Sequence, residues 1–179
     1  NASILSKIDV SNGLAEVAYE NKYCQPQLSG KQKIELLESR HPVVETLLPI
    51  EDRFIANDID LNTKAKQIAV ITGPNMAGKS TFLRQIALIS IMTQIGSYVP
   101  AKKASLCIID KVYTRVGAND NLAEGESTFL VEMNETANIL NNATSNSLII
   151  LDEIGRGTST FDGLAIAWSV IEFLHNNKK

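Results

Sequence analysis

The stretch ITGPNMAGKST, residues 71–81, continues an apolar run, IAV, and ends in a lysine and two hydroxyl residues at the head of a helical pattern. It fits the spacing G-x-x-x-x-G-K-[ST] through Gly73, Gly78, Lys79 and Ser80. Backbone N–H groups can turn inward around a polyphosphate only where bulky side chains are few, which is the use of the two glycines. A helix beginning near Gly78 adds the positive end of its dipole and its unpaired amides. Lys79 supplies a flexible charge for the β- and γ-phosphates, the Ser80 hydroxyl is placed for Mg²⁺, and Thr81 reaches the next phosphate inward. The expected nucleotide-binding loop is therefore Gly73, Pro74, Asn75, Met76, Ala77, Gly78, Lys79, Ser80 and Thr81.

Outward from that loop the pattern alternates. IAVIT is expected as a buried strand, KSTFLRQIALISIMTQI as a helix, ASLCIID as a strand, STFLVEMNETANILNNA as a helix, SLIILD as a strand and FDGLAIAWSVIEFL as a helix. Such alternation predicts an α/β fold with a mostly parallel sheet flanked by helices and ligands at the carboxyl ends of the strands. Upstream, residues 22–70 hold short apolar runs between Pro26, Gly30, Pro42 and Pro49, which suits short strands and turns. Residues 1–21 place Ile4, Ile8, Leu14, Val17 and Ala18 at near-helical spacing, an amphipathic helix with Gly13 as its weak point.

Composition sets limits. The 179 residues suffice for one sizeable core, and a net charge of −3, from 17 basic and 20 acidic residues, gives no overall basic footprint for gripping nucleic acid. Cys24 and Cys107 stand far apart and only two histidines occur, which argues against a zinc site or disulfide framework and for a reducing compartment. Arg84, Gln85 and Gln94 interrupt the longest apolar stretch, so it reads as a core helix rather than a membrane span. The chain opens without Met and stops inside a helical pattern, and it is read as a piece of something longer.

A second signal is SLIILDE, residues 147–153, where an apolar strand delivers Asp152 and Glu153 to its end. Burying two adjacent carboxylates costs free energy unless they are used. Asp152 suits Mg²⁺ or its water, since Mg²⁺ takes few protein ligands. Glu153 is the candidate general base for the water that attacks the γ-phosphate. Few basic residues lie between the loop and Asp152, namely Arg84, Lys102, Lys103, Lys111 and Arg115, so hydrolysis is preferred over transfer to a small-molecule acceptor. A third signal is GESTFLVEM, residues 125–133, where Ser127 and Thr128 precede a helical pattern and read either as a second anion site or as an ordinary N-cap.

Together, GPNMAGKSTFLRQ, GESTFLVEMNETANIL and LDEIGRGTSTFDGLAIAW resemble the MutS family of DNA mismatch-repair ATPases, from about Arg40 to Leu174, with LSKIDVSNGLAEVAYENKYCQPQL similar to the segment leading in. The resemblance implies a P-loop NTPase of the ABC-ATPase type. It assigns residues 1–39 to a connecting helix and lead-in strand, and 40–179 to an ATPase domain truncated at its C-terminus. It further implies a homodimer in which Ser127 touches the γ-phosphate held by the partner, Asn75 arranges that phosphate and the water as a catalytic residue beside Glu153, and Met76 lies by the nucleotide. Phe54 would pack on the adenine, and residues 155–160 would cross the dimer interface. Mg²⁺ with ATP or ADP, mismatched DNA and a MutL-like downstream factor are the implied cofactor, ligands and partners, in a cytoplasmic, nucleoid-associated protein with no membrane contact.

The mismatch-reading wedge and clamp segments of that family have no counterpart in these residues, and its nucleotide-sensing histidine would lie beyond Lys179. His41 and His175 are read as structural and surface residues. Two other readings stand beside the ATPase: a nucleotide-gated interaction module that does not hydrolyse, and a family relative acting in recombination.

Overall fold

The computed structural model describes residues 1–49, 51–116 and 128–177, and the chain forms two compact units. The first comprises Asn1–Lys66 and Arg84–Ile108, the second Gln67–Leu83 and Ile109–Lys179.

In the first unit, helix α1 (Ala2–Glu20) confirms the helical spacing read at the N-terminus, but it buries only Ala18. Ile4, Leu5, Ile8 and Val10 are all exposed, so most of the apolar pattern of this helix is left uncovered among the described residues. Strands β1 (Gln27–Leu28), β2 (Lys33–Ser39) and β3 (Asn57–Asn62), the single-turn helix α2 (Val44–Leu47) and strand β4 (Lys103–Leu106) complete its regular elements apart from α3. The strand order in the sheet is β1-β4-β2-β3. β1 runs parallel to β4, while β2 is antiparallel to both of its neighbours, so this sheet is mixed. β4 covers less than the expected ASLCIID run, ending at Leu106.

Helix α3 (Lys79–Gln94) begins in the second unit, and its longer part belongs to the first. There Gln85, Ile86, Ala87, Ile89, Ser90 and Thr93 form one buried face at helical spacing. Ile34, Leu36, Ile59, Val99, Ala104 and Leu106 belong to the apolar core of the same unit. The polar members of the buried face make these bonds: the Gln85 amide nitrogen donates to Ser39 Oγ at 2.8 Å, and Ser39 Oγ donates to the Asn57 carbonyl at 2.7 Å, while Gln85 Oε1 has no partner among the described residues. The Ser90 and Thr93 hydroxyls return to the helix carbonyls of Ile86 and Ile89. These bonds explain how a helix with polar residues on its inner face is accommodated. Among the described residues, no helix is long and apolar enough to cross a membrane.

The second unit holds strands β5 (Val112–Arg115) and β6 (Leu148–Leu151), paired in parallel with Val112 opposite Leu148 and Arg115 opposite Leu151, and helices α4 (Thr128–Asn142) and α5 (Thr160–Asn176). At the amino end of the ladder the Asp110 carboxylate accepts the hydroxyls of Thr144 and Ser147, while the Asp110 amide donates to the Asn146 carbonyl. β5 is a four-residue strand with too short an apolar run to announce itself in the sequence.

One expected strand is corrected. IAVIT, residues 68–72, is in neither ladder, and Val70 is 71 % exposed. A strand exists only where a neighbour accepts and donates along its edge, and among the described residues none pairs with this run. Its apolar composition reports a tendency to pair, not a pairing.

His41 is structural, as expected. It is buried, and its Nδ1 accepts the amide hydrogens of Val43 and Val44 at 3.2 Å each, tying down the start of α2. Burial lowers its pKa from 6.5, with Arg84 adding to the effect. The unfolded chain therefore takes up a proton before the folded one does, so the stabilisation is complete above about pH 6.5 and is lost as pH falls through the lowered folded value. Melting temperature measured between pH 7.5 and 5 is expected to fall more steeply for the wild type than for His41→Gln.

Candidate functional site

The phosphate-type loop lies at the surface of the second unit, running from Gly73 into the first turn of α3 at Lys79. Met76 sits at φ 63° and Gly78 at φ 87°, two left-handed residues that curl the chain before the helix. Met76, the non-glycine of the pair, projects its side chain fully into solvent. Lys79 folds back into the curl: Nζ donates to the carbonyls of Gly73 at 2.8 Å and Pro74 at 2.7 Å. The Phe82 amide donates to the Gly78 carbonyl, opening the helical ladder directly behind the loop. Ser80 and Thr81 are half-buried in that first turn, whereas Asn75 and Ala77 are exposed.

The carboxylates sit where the strand pattern put them. The parallel ladder continues past β6 through the Asp152 amide, which donates to the Arg115 carbonyl at 2.7 Å. Asp152 is 8 % exposed, and among the described residues no hydrogen bond or ion pair reaches its carboxylate. Glu153 follows at φ 60°, a left-handed conformation that a side chain with a Cβ adopts at a cost. Its Oε2 accepts from Arg156 Nη1 at 2.5 Å, an ion pair whose side chains are 45 % and 79 % exposed and whose contribution to stability is therefore small.

The turn after Glu153 is packed backbone to backbone. Gly155, at φ 82°, lies so close to Gly163 in the first turn of α5 that an added Cβ would come within 2.5 Å of the Gly163 Cα. A Cβ on Gly157 would stand 3.0 Å from the Cβ of Phe129 in α4. Ser159 caps α5, accepting the Asp162 amide hydrogen and donating its hydroxyl to the Asp162 carboxylate.

Three groups to which the sequence assigned no role converge here, two of them from α4. Glu132, 2 % exposed, accepts a hydrogen bond from the Gly155 amide. Glu135 approaches Arg115, which is 7 % exposed at the end of β5, with Oε2 2.9 Å from Nε. That contact is an ion pair off the N–H axis, and the Arg115 guanidinium places its hydrogen bond on the Val116 carbonyl instead. The available signal for Glu132 was helical phase: it stands in line with Thr136 and Ile139, the other buried residues of α4.

Of the residues expected from the sequence, Gly73–Thr81, Asp152 and Glu153 fall in one compact unit. Among the described residues no hydrogen bond or ion pair joins Lys79 or Ser80 to either carboxylate. Phe54 belongs to the other unit, half-buried on the segment before β3. Ser127 lies outside the described residues; α4 is described from Thr128. His175 is exposed in the last turn of α5, as expected of a surface residue.

The Ser80 hydroxyl and the Asp152 carboxylate are oxygen donors of the kind a hard cation takes. Among the described residues there is no cluster of three or more His, Cys, Asp or Glu side chains that could hold an ion without help. A nearly buried carboxylate with no partner among those residues nevertheless suits a hard cation that keeps most of its own waters.

A family model described as MutS domain V matches residues 69–179. Proteins named DNA mismatch repair protein MutS are similar over nearly the whole chain: that of Clostridium botulinum strain Hall is 60% identical over 177 residues, covering 99% of this chain and 19% of the relative. The Clostridium kluyveri protein of the same name is 56% identical over 179 residues, covering 100% of this chain and 20% of its own length. The chain thus spans about a fifth of the curated relatives it matches.

The packing of Gly155 on Gly163 yields a stability test. Gly163→Ala drives a methyl against the Gly155 carbonyl, and thermal unfolding is expected to show a loss of about 1–3 kcal/mol. Gly13→Ala, in the exposed interior of α1 with nothing within 4 Å, is expected instead to stabilise its helix by up to about 1 kcal/mol.

Proposed function

The chain belongs to the MutS family through its domain V, and from that premise we propose that it binds Mg²⁺-ATP at Gly73–Thr81 and hydrolyses it as part of a DNA mismatch-repair protein. The fold proposed for it is the P-loop NTPase of the ABC-ATPase type. The observation that carries the reading is the curl of Met76 and Gly78 closed over the Lys79 ammonium, in the same compact unit as the strand that ends in Asp152 and Glu153. Phosphate oxygens are stronger acceptors than the Gly73 and Pro74 carbonyls, so a polyphosphate would take over the Lys79 ammonium while the α3 amides meet its negative charge.

In this reading Ser80 and Asp152 would hold the cation, whose charge would offset that of the phosphates. Glu153 orients the attacking water and accepts its proton, with Asn75 beside the γ-phosphate. The left-handed backbone at Glu153 takes the chain off the strand line directly after Asp152. Phe54 as an adenine platform, Ser127 as a contact made in a homodimer, and the coupling of turnover to mismatched DNA and a MutL-like factor belong to the same proposal. They rest on the family resemblance.

A second reading, a nucleotide-gated module without turnover, has one observation in its favour: the carboxylate that would act as the base accepts a hydrogen bond from Arg156. Single-turnover phosphate release from the full-length protein separates the two, since a gate would bind ATP and return it intact.

Substitutions divide the roles. Lys79→Ala is expected to weaken ATP binding measured by titration, and unchanged affinity counts against the phosphate loop. Glu153→Gln is expected to retain ATP while turnover falls by roughly 10²- to 10⁴-fold. Undiminished turnover in that variant removes Glu153 from the chemistry.

A further inference from the structure

A carboxylate buried to 2 % on an amphipathic helix is costly, and Glu132 is placed where α4 would otherwise present an apolar or small side chain to the second unit. We propose that Glu132 is a positioning residue for Glu153: by accepting the Gly155 amide hydrogen it fixes the turn that aims the Glu153 carboxylate from the end of β6. The inference rests on the hydrolytic reading given above and assigns a role to a residue outside the nucleotide loop and the strand-end pair.

The turn needs to be held. Glu153 at φ 60° and Gly155 at φ 82° are two left-handed residues within three positions, and the non-glycine one is strained. Such a conformation persists only where its surroundings over-determine it. On the upstream side the Asp152 amide is fixed to the Arg115 carbonyl. On the downstream side the Gly155 backbone rests on Gly163 and Gly157 rests on Phe129, contacts that limit where the turn can go but have no directional bond of their own. The Glu153–Arg156 pair is too exposed to hold it.

Glu132 supplies the directional element. A charged acceptor on a backbone amide makes a stronger and shorter bond than a neutral one, and burial in α4 denies water the chance to compete. The helix is itself anchored, since Glu135 one turn along meets Arg115 at the end of β5, the same residue whose carbonyl receives the Asp152 amide. Both ends of the Asp152–Gly155 turn are thus referred to one rigid frame, and Glu153 is carried between them.

The test compares wild-type protein with Glu132→Gln and Glu132→Leu. Gln keeps an acceptor and is expected to retain most of the turnover, whereas Leu fills the space without one and is expected to lower kcat by on the order of tenfold or more, because small misplacements of a catalytic group are costly. KM and ATP affinity are expected to stay near wild type in both, since Glu132 is outside the phosphate loop. A purely structural role would lower stability and the fraction of active protein, so kcat is taken per ATP-binding site counted by titration; a per-site kcat unchanged in the Leu variant assigns Glu132 to stability alone. Amide exchange gives a readout without turnover: the Gly155 amide is expected to exchange slowly in wild type and Glu132→Gln and quickly in Glu132→Leu. Should Leu fail to fold, Glu132→Met carries the same expectation, and a fast-exchanging Gly155 amide in the wild type overturns the proposal by itself. Wild-type turnover with an unchanged kcat in a folded Leu variant overturns this inference alone. Absence of turnover in the full-length wild type, in which all these variants are made, overturns the hydrolytic reading and this inference with it.

Discussion

The hydrogen bond from the Asp152 amide to the Arg115 carbonyl closes the parallel ladder of β5 and β6, and the arrangement of the second unit depends on it. It extends the strand by one residue, so that Asp152 is delivered with its amide already satisfied and its carboxylate without a partner among the described residues. It also sets the point at which the chain must leave the sheet. The next residue, Glu153, does so at positive φ, and the turn that follows leads to the Ser159 cap of α5. Gly155 and Gly163 are glycines because two backbones meet there with no room for a methyl group.

Helix α4 acts on this region with carboxylates as well as with the apolar bulk of Phe129. Glu132 and Glu135 are one turn apart, one buried and one half in solvent, and they reach a backbone amide and a buried arginine respectively. The desolvation cost of Glu132 is offset by a charge-assisted bond, and the result is a helix whose register along the sheet is specified by polar geometry. Apolar packing alone tolerates sliding, whereas a carboxylate on a particular amide does not.

The phosphate-type loop follows a different logic. It is exposed, holds its curl with left-handed Met76 and Gly78, and is closed by its own lysine. Its form is local, written by residues within about a dozen positions of one another. The first unit, by contrast, is organised by interactions distant in sequence: the Gln85–Ser39–Asn57 chain of hydrogen bonds links α3, β2 and β3 in the interior of the mixed sheet.

Locality also separates what could be read from what could not. The helices α3, α4 and α5, the strand β6, the loop at Gly73–Thr81 and the placement of Asp152 at a strand end were legible because each is encoded by a short run of residues with its own period or turn chemistry. The failure of residues 68–72 to pair, the antiparallel neighbours of β2 and the exposure of α1 were not, since a strand or an amphipathic helix announces a preference and only another segment can satisfy it. Glu132 marks the boundary most clearly. The sequence alone placed a charged residue in line with a helix's inner face, but only the tertiary fold brought the Gly155 amide, 23 positions away, within reach of its carboxylate.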